Sequence, residues 1–415
     1  MESICPKEDC TGCMACLNIC AHQAIDICTD EEGFERPQID SSKCVDCDLC
    51  RIVCPANNKP TSSKPIAVYS GWSKDESTRI ASSSGGAFSS IAHCILEKGG
   101  VVFGAALNEE LKAEHISIEK ECDLKKLQGS KYVQSSIHTT YRNVKEHLKK
   151  GEEVLFSGTP CQVAGLRNYL RKSYPNLTTI DLICHGVPSP LIFDGYKDYI
   201  RRTEKITIED IKFRGKKSSW IFFNISIDGY VEKGGKKKTY IGNYYDDPYI
   251  RGFLRDYFLR PSCHKCQFCS TARCSDFTIG DWWNYRPAEG EKNDYEKKGV
   301  SLIMCNTDKA AGLFNEIRSH MTVRPRTLEE ALKTNISLQH PFELPKSRSI
   351  FWQDYHKMNF DALIKKYMHK ERLLPSRYIR YKCGNTLTRN VSIKIIGKLE
   401  RVLSKIGAGR LIPRF

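Results

Sequence analysis

The sequence predicts a mixed α+β / α/β protein in three parts: a small duplicated cysteine-rich head, a larger α/β body, and a helical basic C-terminal tail. Three observations predict it. A four-cysteine run near the start recurs 34 positions later, short apolar runs alternate with helical patterns through the middle, and lysine and arginine accumulate at the end.

The head spans residues 1–60. Shifting the chain by 34 positions lays Cys10, Cys13, Cys16 and Cys20 on Cys44, Cys47, Cys50 and Cys54, so the head reads as two copies of one half-module. Residues 56–65, rich in Pro, Ser and Lys, read as a linker. The body follows as two stretches, 66–150 and 151–345. Val101–Ala106, Val154–Phe156, Ile180–Ile183 and Ser301–Cys305 read as buried strands, and Gln162–Leu170 and Lys309–Ile317 as helices. Between 211 and 245 the pattern turns antiparallel. Strands are expected at Ile211–Phe213, Trp220–Ile227 and Thr239–Ile241, with turns at Asp228-Gly229 and Gly234-Gly235.

Residues 346–415 form the basic tail. From 391 to 406, Val391, Ile395, Leu399, Val402 and Ile406 fall on one helical stripe, with Lys394, Lys398, Arg401 and Lys405 on a neighbouring arc. Docking on the body or on a partner is one reading of this amphipathic helix, and contact with a membrane surface is the other. Charge is uneven: residues 1–60 carry five Lys/Arg against eleven Asp/Glu, whereas the whole chain has net charge +15. No apolar run approaches the ~20 residues that span a bilayer. The start shows no secretory signal pattern, so a reducing, cytoplasmic setting is expected.

Twenty cysteines in 415 residues then call for a metal explanation rather than disulfides. The run Cys10-x2-Cys13-x2-Cys16-x3-Cys20, and its repeat ending Cys54-Pro55, is the spacing of two [4Fe–4S] cubes. Three thiolates come from each tight loop, and the fourth cysteine of each run serves the other cube. Cys10, Cys13, Cys16 and Cys54 are thus assigned to one cluster, and Cys20, Cys44, Cys47 and Cys50 to the second. The head is a bacterial-ferredoxin-like module of the duplicated βαβ type. Zinc prefers two CxxC pairs separated by a long gap, which this spacing does not offer. Ala21 replaces the proline of the first run without removing a ligand. Cys5 and Cys28 fall outside the pattern and read as plain small residues.

A second thiol group lies in the body. Cys161 and Cys184 each follow a strand, and Cys263, Cys266, Cys269 and Cys274 share a loop. Strand ends of an α/β sheet converge on one edge. Three readings compete: a third cluster on Cys161, Cys184, Cys263 and Cys266; a metal site within 263–274 alone; and unmetallated thiols.

Several segments together resemble the beta subunit of coenzyme F420-reducing hydrogenases and dehydrogenases. They are Ser82-Ser-Ser-Gly-Gly-Ala-Phe88, Gln128-Gly-Ser-Lys-Tyr-Val-Gln-Ser135, Ser157-Gly-Thr-Pro-Cys-Gln162, Cys184-His-Gly-Val-Pro-Ser189 and Ser275-Asp-Phe-Thr-Ile-Gly-Asp281. The resemblance covers about residues 1–345 and is closer to bacterial relatives, which need not use the deazaflavin. It implies FAD beside iron–sulfur centres in a flavin-binding α/β body. Ser84, Gly85 and Gly86 precede a helical run, where a phosphate is stabilised. Gly129, Ser130 and Lys131 supply a cation suited to phosphate or to the flavin, and Ser157, Gly158 and Thr159 complete the expected cofactor contacts. Lys131 and His185 are the candidate catalytic residues. His185 is weighed against a satisfied polar residue, Lys131 against a surface lysine, and Asp281 against a turn-closing role. Thr159-Pro160 is expected to be trans.

The function expected is an iron–sulfur flavoprotein oxidoreductase. It passes electrons between a two-electron donor or acceptor at FAD and one-electron carriers, with a redox partner protein or low-potential carrier at the far end. The alternative is an electron-transfer subunit without its own substrate site, serving a partner enzyme. Bacterial relatives in surface-polysaccharide pathways suggest a sugar-linked setting for either. A nucleic-acid role for the tail finds no supporting motif.

Overall fold

The computed structural model describes residues 3–217, 219–232, 234–287 and 294–368. The amphipathic stripe at 391–406 lies outside them. In the head, the helices Ala15–Ile19 and Leu49–Ile52 flank an antiparallel pair, β1 (Ile25–Thr29) and β2 (Glu35–Ile39). Each half-module gives one helix and one strand. The repeat is written into the backbone as well. Gly12 and Asp46 have φ of 69° and 52°, and Met14 and Asp48 have 57° and 59°. L-residues enter this region rarely, so its recurrence at the same two places marks one loop conformation built twice.

The body contains β3 (Ala67–Ser73), β4 (Val101–Leu107), β5 (Ala113–Ile118), β6 (Val154–Gly158), β7 (Leu177–Leu182), β8 (Ile206–Gly215), β9 (Asn224–Val231), β10 (Lys237–Asn243), β11 (Phe277–Asp281), β12 (Ser301–Cys305) and β13 (Met321–Arg326). Eight of these form one mixed sheet in the order β13-β3-β12-β11-β7-β6-β4-β5. Its centre, β4-β6-β7-β11, is parallel, and both flanks are antiparallel. Alternation sends Leu155 to one face and Val154 and Phe156 to the other. On the first face lie the helices Ala87–Glu97 and Asp308–Ile317. On the second lie Thr140–Lys149 and Pro160–Leu170, and the head packs on these, with Cys13, Met14, Ala15 and Val53 joining their core. The second sheet, ordered β10-β9-β8, packs on the helix Pro190–Glu204. Phe351, Trp352, Leu363 and Tyr367, from the start of the tail segment, are buried in that same core.

The strand and helix expectations at 101–106, 154–156, 180–183, 162–170, 301–305 and 309–317 match elements of the structure within a few residues. Two expectations fail. Asp228 and Gly229 are not a turn but lie inside β9. A Cβ on Gly229 would meet the Thr207 carbonyl oxygen at 2.1 Å, so this glycine serves close strand approach beside a bulge at Ile208/Asp210. The strand expected from Trp220 begins only at Asn224, because the buried Trp220 indole donates to Asp281 Oδ1 at 3.1 Å and stacks on Trp283. The turn at Gly234-Gly235 is present, both residues having positive φ. Residues 56–65 are stapled down: Ser63 and Arg273 exchange backbone bonds of 2.9 and 2.8 Å, and Lys59 donates to the Gln267 carbonyl.

Candidate functional site

The head is held to the body by a dense polar seam. Arg142 donates to the carbonyls of Leu17, Asn18 and Cys20, capping the C-terminal end of the helix Ala15–Ile19. Arg348 pairs with Glu32 and donates to the Leu259 carbonyl at 2.7 Å. At the centre is Arg260, fully buried. It donates to the Cys10 carbonyl at 3.2 Å, to the Glu35 carbonyl at 2.6 Å and to Gln134 Oε1 at 3.3 Å, with its guanidinium over Phe34. Gly12 lies so close that a Cβ there would stand 2.5 Å from Arg260 Nη2.

Around this seam the thiols gather in groups. Cys10, Cys13, Cys16 and Cys54 line one cavity of about 300 Å³, together with Cys5. Burial, and repulsion from Cys13, Cys10 and Cys54, push the Cys16 thiol up; burial also raises Cys13. A hydrogen bond from Cys5 holds Cys10 well below the usual thiol range and Cys54 at about 7. Cys44, Cys47 and Cys50 face one another in the second loop, where Cys47 is exposed. Cys20 accepts from the Ala24 amide at 3.3 Å.

The body thiols form the next group. Cys184 faces Cys263, Cys161 and Cys266; burial and this repulsion raise it. Cys161 is pushed up to about 11 and Cys263 to about 12, burial being the larger cause in each. Cys269, part of the metal site within 263–274 in one of the three readings and outside the four-cysteine set of another, bonds Cys266 and holds it at about 7. Cys274 stands apart, next to Asp181 and Arg167. The two groups adjoin: Cys13 and Cys161 are close enough to repel, and the buried Tyr141 hydroxyl feels both. What allows this approach is Gly165, where a Cβ would stand 2.9 Å from Cys13 Sγ and 3.1 Å from the Tyr141 hydroxyl. Among the described residues no three His, Cys, Asp or Glu side chains converge on a single metal ion; the thiols ring wider spaces. Sulfurs gathered in this way, several of them raised mainly by burial and further by their neighbours, fit a cationic iron–sulfur core that would compensate the charge of the thiolates.

The flavin-candidate residues divide. The amides of Gly85 and Ala87 already point at the Ser301 hydroxyl, at 2.9 and 3.4 Å, and Ser84 donates to the Val300 carbonyl. A Cβ on Gly85 would stand 2.4 Å from the Gly71 carbonyl oxygen, so this glycine serves strand–helix approach. Thr159 caps the helix Pro160–Leu170 in a capping box with Gln162, and its hydroxyl lies 3.1 Å from Cys161 Sγ. Ser157 gives its carbonyl to His115, and Gly158 packs on Gln162. Of these three, Thr159 touches the thiol group. The cationic side is different. Lys131 donates only to the carbonyls of Lys126 and Gln128, and Lys216 only to those of Arg79, Ser84 and Lys298. Burial lowers each to about 7, and among the described residues neither makes an ion pair. Gly129 (φ 81°) faces open space. Two desolvated amines without a bonded carboxylate among the described residues, Lys131 at the carbonyls of Lys126 and Gln128 and Lys216 at the Ser84 carbonyl of the helix start, fit an anionic cofactor group.

His185 Nε2 donates to Asp256 Oδ1, 2.6 Å away, between the rings of Phe253 and Phe342. Asp281 is the last residue of β11 rather than part of a turn, and it takes bonds from Arg214 and Trp220. All cysteines of the described residues are free thiols.

A 4Fe-4S dicluster domain model matches residues 9–58. The coenzyme F420 hydrogenase/dehydrogenase beta subunit models match residues 68–140 with the N-terminal part and 151–330 with the C-terminal part, together more than half of the chain. The chain belongs to this family. It is thus an F420 hydrogenase/dehydrogenase beta-subunit homologue with an iron–sulfur dicluster domain in front, and an oxidoreductase of the electron-transfer kind. Among solved structures it is similar to a chain of the xenon-derivatised F420-reducing [NiFe] hydrogenase complex from Methanosarcina barkeri. Identity is 15%, the TM-score is 0.44, and the match covers 72% of this chain and 96% of that one. No curated protein matches. No helix among the described residues is long and apolar enough to cross a membrane.

Proposed function

We propose that this beta-subunit homologue exchanges two electrons with a substrate at bound FAD and passes them singly to a partner through a chain of [4Fe–4S] clusters. The observation that carries the reading is the contact between the two thiol groups, Cys13 facing Cys161 across Gly165 and Tyr141. In this reading Cys161, Cys184, Cys263 and Cys266 hold a third cluster. Cys10, Cys13, Cys16 and Cys54 hold the next, and Cys20, Cys44, Cys47 and Cys50 the outermost. The exposed Cys47, with Val45 and Ile52 also exposed beside it, makes the outer end the natural place for a redox partner.

FAD would supply the conversion between paired and single electrons. Lys131 and Lys216 would hold its anionic portion, and Gly129 and Ser130 would let the backbone approach it. The segment 128–135 ties that region to the clusters: Ser130 donates to Ser83 Oγ, and Gln134 meets Arg260 and the Glu35 amide. His185, already bonded to Asp256, is a positioning residue at most. A second reading, a conducting subunit with no flavin of its own, is favoured by Ser301 closing the helix start at Gly85.

The test is anaerobic purification followed by a flavin spectrum and a scan of hydride donors with a one-electron dye as acceptor. The proposal expects stoichiometric FAD, retained in wild type and lost in Lys131→Met. Iron without flavin, with no donor reducing the dye, selects the conducting subunit.

A further inference from the structure

A [4Fe–4S] cube takes four thiolates, yet five thiols line the inner cavity of the head. The fifth is Cys5, which the repeat does not include: it lies five positions before Cys10, and position 39, which corresponds to it in the second half, is Ile39. Cys5 is not merely nearby. It opens on the same cavity as Cys10 and Cys54, two ligands that come from opposite ends of the module. It packs in the same small core as Cys16, Cys50 and Cys54. Its own segment is fixed on both sides: Arg51 donates to the Ser3 carbonyl at 3.0 and 2.9 Å, and Asn57 donates to the Ile4 carbonyl at 2.9 Å.

We propose that Cys5 is a stand-in ligand of the inner cluster, placed to take the iron left by Cys10 or by Cys54. The inference rests on the reading that Cys10, Cys13, Cys16 and Cys54 hold that cluster. In the exchange, the iron–sulfur bond to the original cysteine is broken or absent and a bond from iron to Cys5 Sγ forms. The Cys5 thiol proton passes to the displaced thiolate or, where that cysteine is missing, to solvent. No electron is transferred.

The experiment uses the full chain, purified anaerobically, as wild type, Cys54→Ala, Cys10→Ala, Cys5→Ala and the doubles Cys5→Ala/Cys54→Ala and Cys5→Ala/Cys10→Ala. Iron and sulfide are counted, and cluster type is read by electron paramagnetic resonance. Cys54→Ala and Cys10→Ala are expected to keep the wild-type iron count and a four-iron signal of altered shape. Each double is expected to lose the four-iron signal of the inner cluster, retaining a three-iron form or none. Retention of the outer cluster's signal shows that a variant has folded. The proposal is overturned if Cys54→Ala and Cys10→Ala lose the inner cluster as completely as the doubles, or cannot be obtained folded. A wild type lacking the inner cluster would instead overturn the assignment on which the proposal rests.

Discussion

Replacing Arg260 with methionine should make the inner cluster harder to reduce while leaving the protein folded. The guanidinium is fully buried between the head and the body, and its charge acts on Cys10 on one side and Cys263 on the other. No carboxylate bonds it. Burial lowers its pKa, and its Nε atom has no hydrogen-bond partner. Its natural counter-charge is the thiolate set. At an effective dielectric of ~20, a unit charge acts with about 4 kcal/mol at 4 Å and about 2 kcal/mol at twice that distance. For a one-electron couple this corresponds to a fall of roughly 90–170 mV. Stability moves less. The three donated bonds are worth about 1.5–3 kcal/mol each, but the cost of burying an uncompensated cation disappears with them. The assay is an anaerobic redox titration of Arg260→Met, followed by electron paramagnetic resonance, with Arg260→Lys as the charge-conserving control. A drop on the order of 100 mV in the first and a much smaller change in the second is expected. An unchanged potential in a folded Arg260→Met protein would refute the electrostatic argument.

Two further outcomes are expected. Gly165→Ala puts a methyl group 2.9 Å from Cys13 Sγ and 3.0 Å from Cys13 Cβ; overpacking of about 1–3 kcal/mol exceeds the ~1 kcal/mol gained by replacing a helical glycine, so denaturant unfolding should show a net loss, and a stabilised variant would contradict the packing. Lys131 has its folded pKa lowered from 10.5 to about 7 by burial. Below about 7 both states hold the proton and the burial cost is felt in full; between about 7 and 10.5 the unfolded chain holds a proton the folded chain lacks, so stability rises with pH. Urea midpoints of the flavin-free protein should climb from pH 7 to 9, Lys131→Met should flatten that slope, and equal slopes would count against a buried lysine.

Local rules made much of this molecule legible. Alternating and continuous apolar runs give the central strands, because burial on two faces leaves a plain signature. The cysteine repeat gives the two loops of the head, down to the matching left-handed residues 12 and 46. One of the three readings had the thiols that follow β6 and β7 meeting the loop 263–274 because parallel strand ends share an edge, and Cys161, Cys184, Cys263 and Cys266 do lie together. What was not legible depends on contacts between distant segments. Arg260 and Gly165 carry no motif; each is defined by what sits opposite it in the head. Cys5 stood outside the repeat, and only the folded cavity brings it to Cys10 and Cys54. Asp228-Gly229 has the composition of a turn, yet the glycine answers to a neighbouring strand. At Ser84-Gly85-Gly86 the glycines were read for a phosphate, whereas Gly85 is required by Gly71 and Ser301.

The most direct measurement is the iron and acid-labile sulfide content of anaerobically purified full-length protein, with zinc measured on the same sample. Three cubes held by twelve thiolates predict about twelve irons and a matching number of sulfides per chain, with no zinc. A colourless protein, or one carrying zinc without sulfide, would contradict the account at its base.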